Sequence, residues 1–318
     1  MSRASKAERK AKKNTVTISD QYDESSRVLT DAEAHRDVQY ELPSPTSQIL
    51  ECFKVQMKRY TRQKVMWFCI VLLAIIPVAY LAIKTLTDPG MMLPKTDVAN
   101  TYMATLLSVG PAIIPLISAI ACGSMLSQEF NERTVYLSLP LPLSRSAFYI
   151  GKFLAGLILV EGTVAAAYGL AVIISLGETS EMYTVSAFTS FLLAACYTFF
   201  CCSLAYAMST KSKRGSSMLP FVILFIVIPL IGVLTMMFVK NDTIYTIASY
   251  LPCFSIDAAL NVMGNVSSIS MGWIVTSMFV GAFAITYGSN TLVFILITIV
   301  LSLLLLGLGY RVVKRRDM

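Results

Sequence analysis

Charge is what this chain has least of. Only 14% of its 318 residues are Asp, Glu, Lys or Arg, against 55% hydrophobic, where a soluble domain carries about 25% charged residues. Together with a mean hydropathy of +0.65, that shortage excludes an ordinary soluble enzyme and implies an integral membrane protein. Histidine is scarcer still. The single His35 lies in a polar N-terminal stretch, which excludes an HExxH zinc site, a Ser-His dyad within the membrane and a haem held between two histidines. No GxxxxGK[ST] phosphate loop occurs, since Gly151-Lys152 is followed by Phe153 and lacks the upstream glycine. The seven cysteines never take the paired spacing of a zinc site; Cys69, Cys122, Cys196, Cys201 and Cys202 fall in apolar runs, as small buried hydrophobes do. No aromatic-plus-basic stretch suits a nucleic acid, so the net charge of +7 has to be read by position.

What is present is a series of apolar runs. Six reach the ~20 residues needed to cross a hydrocarbon core: 65–83, 103–125, 154–176, 186–208, 218–239 and 291–310. Pro77, Pro111, Pro115, Pro220 and Pro229 lie inside them, tolerated in lipid where neighbouring helices satisfy the freed carbonyls, and kinks are expected there. Ahead of the first run, residues 1–47 form a polar tail with six cations between Arg3 and Lys13 and no apolar stretch after them. Such a segment neither buries enough surface to fold alone nor reads as a cleaved signal. Over 48–64, Ile49, Leu50, Phe53 and Met57 recur at helical spacing while Lys54, Lys58, Arg59 and Arg62 supply a basic face. This predicts an amphipathic helix at the membrane surface.

Orientation follows from the cations beside the runs. Fifteen Lys and Arg flank them on one side, at 54–64, 133–152, 211–214 and 311–316, against Lys84, Lys95 and Lys240 on the other. The excess marks the cytoplasmic side and places both termini there. The expected fold is thus an all-α, polytopic membrane protein with six transmembrane helices. An even number of crossings makes the apolar stretch 270–287 a structured or re-entrant outer segment between helices five and six. Asn241 and Asn265 head sequons in the same loop.

One polar insert, 127–152, separates runs two and three. Glu129 and Arg133 stand at i,i+4 on a predicted helical extension of run two. Pro140 and Pro142 then force a turn. Ser144 is placed to cap a helix that carries Arg145 and Lys152 on one face into run three. These residues resemble the type-2 permease family of ATP-binding-cassette (ABC) transporters, in which an acidic residue, a Gly-Thr pair, a Leu-rich step, a Pro-x-Ser-Arg turn and a Gly-Lys pair follow span two. Here Glu129, Thr134, Leu137 to Leu139, Pro142-Leu143-Ser144-Arg145 and Gly151-Lys152 match, and Arg133 stands where the family has glycine.

The resemblance covers roughly 48–318 and implies that 65–318 is a permease domain of the cell membrane. Its insert would be an ATPase-coupling element comprising Glu129, Arg133, Thr134, Pro142, Ser144, Arg145 and Lys152. It also implies a separate ABC ATPase subunit holding the ATP, a second permease copy or paralogue, and export as the direction. No cofactor is expected on this chain.

Within the runs, Glu161 is the carboxylate that stands out, about 10 Å into the hydrocarbon at 1.5 Å per residue. A charge there is costly. It reads either as part of a polar translocation path or proton-sensitive switch, or as a neutral Glu bonded to a neighbouring Thr, Tyr or carbonyl. Gly162 with Ala166, and Ala165 with Gly169, give small-xxx-small spacings that permit close helix approach within the bundle. Three other classes compete: a secondary transporter or channel, for which Glu161 is the sole basis; an intramembrane enzyme, for which the residues are lacking; and a non-transporting scaffold.

Overall fold

The computed structural model describes residues 44–64, five positions within 67–78, 103–129 with gaps, 144–179, 185–211, 218–231 apart from 229, 250, 252 and 290–315. The expected re-entrant stretch 270–287, both sequons and most of the N-terminal tail lie outside these residues. Among the described residues the architecture is all-helical, without a strand. Its elements are α1 (Pro45–Arg62), α2 (Gly110–Gly123), α3 (Arg145–Thr179), α4 (Val185–Ser209), α5 (Met218–Val222) with a π-turn at Ile223–Val227, and α6 (Thr291–Arg315).

Three of these helices are long and apolar enough to cross a membrane: Arg145–Gly177, Val185–Ser209 and Thr291–Arg315. They coincide with the expected third, fourth and sixth runs. At about 1.5 Å per residue, the 35 residues of α3 span about 52 Å. That exceeds a hydrocarbon core of about 30 Å by about four turns, so α3 is longer than a crossing requires. The π-turn falls between Pro220 and Pro229, with the N–H of Ile228 reaching the carbonyl of Ile223. Such a one-residue widening is a known form of helix irregularity.

Burial in these helices is inverted relative to a soluble bundle. α6 turns Phe294, Thr298, Ser302, Gly309 and Val313 inward while Leu292, Leu296, Val300, Leu303 and Leu304 are exposed. Lipid is as apolar as leucine, so the outer face attracts no protein partner, and small or hydroxylated residues take the inner face where backbones approach. Gly309 illustrates the reason: an added Cβ would sit 2.5 Å from Tyr149 Oη and 3.2 Å from Ala207 Cα. Tyrosines bind the helices at this end. Tyr206 Oη donates to the Tyr149 carbonyl at 2.8 Å, and Tyr149 Oη donates to the Leu306 carbonyl at 3.1 Å. Their rings stack with Phe153 and Tyr310 in one tilted aromatic group.

α1 begins ahead of the expected residue 48. Ser44 caps it, its Oγ accepting from the Ser47 N–H at 3.4 Å, and Pro45 takes the first turn, where its missing N–H costs nothing. The stripe that α1 turns into the protein is Gln48, Cys52, Gln56 and Tyr60, a different face from the apolar one expected at the membrane surface. Of the latter, Phe53 and Met57 pack against the core at its margin, and Leu50 is exposed. At a membrane surface the apolar face has lipid to cover it, which leaves the polar and small stripe for helix contact.

Candidate functional site

The insert's two ends meet α1 at one point. Gly151, on the second turn of α3, is where α1 crosses closest: a Cβ there would lie 2.7 Å from Cys52 Cβ and 2.7 Å from the Ile49 carbonyl oxygen. Gly156, farther along, does the same for α2, with Cys122 Sγ at 2.7 Å from an added Cβ. Tyr60 Oη then donates to the Ala121 carbonyl at 2.6 Å, fastening α1 to α2. At the start of α3, the Ser144 N–H donates to Gln48 Oε1 at 2.9 Å, and Ser144 Oγ accepts from the Ala147 N–H at 3.2 Å. Ser144 therefore caps α3 as its sequence position suggests, and also ties that cap to α1. Burial pushes the Cys52 thiol above its ordinary range.

Beside Gly151 the charges converge. Glu129, helical and just beyond α2, is buried, and its Oε2 pairs with the Lys152 ammonium. Its Oε1 accepts from Arg59 Nη1 of α1 at 3.3 Å. The Lys152 side chain is 7% exposed, Glu129 12% and Arg59 31%. The ammonium also lies 4.0 Å from the centroid of the Phe148 ring, which favours a cation over its face. Two cations from two helices thus share one carboxylate from a third segment. Taking such charges out of water is costly unless geometry and pairing are good, so the three segments hold one mutual position or lose the pairs.

Of the expected coupling residues, the structure brings together Glu129 and Lys152 and sets Ser144 a few turns below them. Arg145 is exposed with no ion pair among the described residues. It therefore parts from Lys152 despite their shared face, for what covers Lys152 does not extend over the Arg145 side chain. Arg133, Thr134 and Pro142 lie outside the described residues. Arg59 was legible only as one of four cations on a basic face. Its role depends on where α1 docks, and helical periodicity does not carry that.

Glu161 is half-buried on α3, and no cation or hydrogen-bonding side chain among the described residues contacts it. Gly162, Ala165, Ala166 and Gly169 are exposed, and an added Cβ at Gly162 or Gly169 meets nothing within 4 Å. Nothing among the described residues packs on them, and α3 turns Val160, Val164, Ala167, Tyr168 and Ala171 inward.

Comparison with known proteins adds one match. The model of a family described as ABC-2 family transporter protein covers residues 51–318. No curated protein matches the chain.

Proposed function

The chain belongs to the ABC-2 transporter family, and from that premise we propose that it couples a separate ABC ATPase to a translocation path through the 127–152 insert. Membership makes it a membrane protein and the permease component of an ABC transporter, a transport part that is not itself catalytic and that works with an ATPase subunit. The finer reading adds six spans, both termini in the cytoplasm, residence in the cell membrane, assembly with a second permease copy or paralogue, and export of cargo.

One observation carries the coupling role: Glu129, at the near end of the insert, is paired both with Lys152 at its far end and with Arg59 of α1. A push on the turn between them is thereby delivered to the helices on both sides and to α1 together. Ser144 and Arg145 begin the returning helix, and the exposed Arg145 is available to an acidic groove on the ATPase; Arg133, Thr134 and Pro142 complete the element by sequence. Glu161, half-exposed on an uncovered face of α3, is assigned to the translocation path, with ATP confined to the partner.

Co-purification tests this. The chain is expected to bring down an ABC ATPase subunit, and Arg145→Glu or Glu129→Lys to abolish the association. A purified chain that recruits no ATPase and moves solute alone ends the proposal. The uncompensated position of Glu161 favours one competing reading, a secondary transporter or channel independent of ATP. Transport that persists without ATP and collapses with the ion gradient would select it.

A further inference from the structure

At the basic ends of α4 and α6 a cavity of about 380 Å³ opens between the two helices. Its deeper wall is apolar, formed by Leu204 and Met208 of α4 and Leu305 and Leu308 of α6. Its rim is cationic: Lys211 follows α4, and Arg311 and Arg315 stand one turn apart on α6, all three exposed. Neither helix contains an Asp or Glu, and among the described residues none of the three cations has an ion pair. The back of the cavity is closed where Ala207 meets Gly309, an added Cβ on the glycine lying 3.2 Å from Ala207 Cα. Leu308, on the wall, is 56% exposed and continues the outward-facing leucines Leu303 and Leu304. The groove is therefore open toward the surface that lipid covers.

We propose that this groove binds an anionic glycerophospholipid, its phosphate held by Lys211, Arg311 and Arg315 and its upper acyl chain laid along Leu305 and Leu308. The occupant has to offer a negative group and an apolar chain at once, because the cations and leucines line one continuous recess. A bilayer lipid of the same leaflet satisfies both without leaving the membrane, and basic recesses between membrane helices suit such headgroups. The cavity is small for a whole lipid, so the remaining chain stays in the bilayer beside Leu303 and Leu304. The site is separate from the Arg59–Glu129–Lys152 cluster and does not depend on the proposed coupling.

The test uses the full chain with a single reporter, Leu308→Trp in a Trp67→Phe, Trp273→Phe background, in vesicles of phosphatidylcholine with or without phosphatidylglycerol. Quenching by dibrominated chains of each lipid in turn gives their relative occupancy. Phosphatidylglycerol should be preferred by about fivefold or more, the factor one cation supplies at a membrane surface. The preference should vanish in Lys211→Gln, Arg311→Gln, Arg315→Gln and survive in Arg311→Lys, Arg315→Lys, which keeps charge and the topological signal. Equal quenching by the two lipids overturns the proposal, as does a preference indifferent to the glutamine substitutions. Quenching by neither lipid means that protein covers the groove and is equally fatal. Displacement of the lipid by inorganic phosphate or glycerol phosphate at comparable concentration reassigns the cations to a soluble anion.

Discussion

Replacing Lys152 with Met removes an ammonium and keeps its stem, and the consequence can be worked from the surroundings. Glu129 is 12% exposed and Lys152 7%, so the substitution strands a buried carboxylate. Breaking such a pair from one side costs about 3–5 kcal/mol. Arg59 remains 3.3 Å from the other carboxylate oxygen and takes up part of the loss, which favours the lower bound. About 3 kcal/mol corresponds to a fall of roughly 6–12 °C in apparent melting temperature at about 2–4 °C per kcal/mol. Arg59→Gln should cost far less, on the order of 1 kcal/mol, because a pair this exposed is screened by water.

The assay is thermal unfolding of the chain in lipid nanodiscs, run on Lys152→Met, Glu129→Gln, their combination and the charge swap Glu129→Lys, Lys152→Glu. The combination should melt above the sum of its parts, with an interaction energy of about 1 kcal/mol or more. The swap should recover only partly, since a lysine at 129 faces Arg59. A Lys152→Met protein that melts within about 1 °C of the parent, below any effect expected of a buried pair, refutes the reasoning. Strictly additive single and double substitutions refute it too.

Further outcomes follow from the same contacts. Gly151→Ala drives a Cβ into Cys52 and the Ile49 carbonyl and should destabilise by about 1–3 kcal/mol; Gly162→Ala, which meets nothing, should be neutral in melting, and a loss of stability there would mean that another chain packs on that face. Cys52 is buried and its thiol is pushed above its ordinary range, so maleimide labelling should be slow at neutral pH and keep accelerating beyond pH 9, because only the thiolate reacts. Labelling that levels off below pH 9, or that is already fast at pH 7, contradicts this. Thr298 buries a hydroxyl that has no hydrogen-bond partner among the described residues, so Thr298→Val should be neutral or stabilising by about 1 kcal/mol; a clear drop in melting temperature would show that the hydroxyl is satisfied.

The membrane character of this chain needed no fold. Apolar runs over 154–176, 186–208 and 291–310 are long because lipid is thick, and they reappear in α3, α4 and α6, of which α3 starts well ahead of its run, at Arg145. Ser144 as a cap, and helix on both sides of the insert, were likewise local properties of hydroxyls and prolines near chain turns. The inward faces were less legible. Hydrophobic periodicity marks a soluble helix because water selects one face, and in α6 the exposed face is leucine while the buried one holds Thr298, Ser302 and Gly309. For the same reason the apolar face of α1 read as a membrane-surface face, and the stripe that docks on the protein, Gln48, Cys52 and Tyr60, carried no periodic signal of its own.

By itself, then, the sequence determined the class of this protein, its long helices, the insert and the family resemblance, all of which rest on local composition and spacing. Tertiary structure decided which charges meet. Arg59 and Glu129 are 70 positions apart, and no periodicity relates them. Their meeting depends on two glycines of α3, Gly151, which admits the α1 backbone, and Gly156, which admits the side chain of Cys122 from α2. It likewise put Lys152 inside and Arg145 outside, though both occupy one face of the same helix, because burial is a property of what lies opposite a residue.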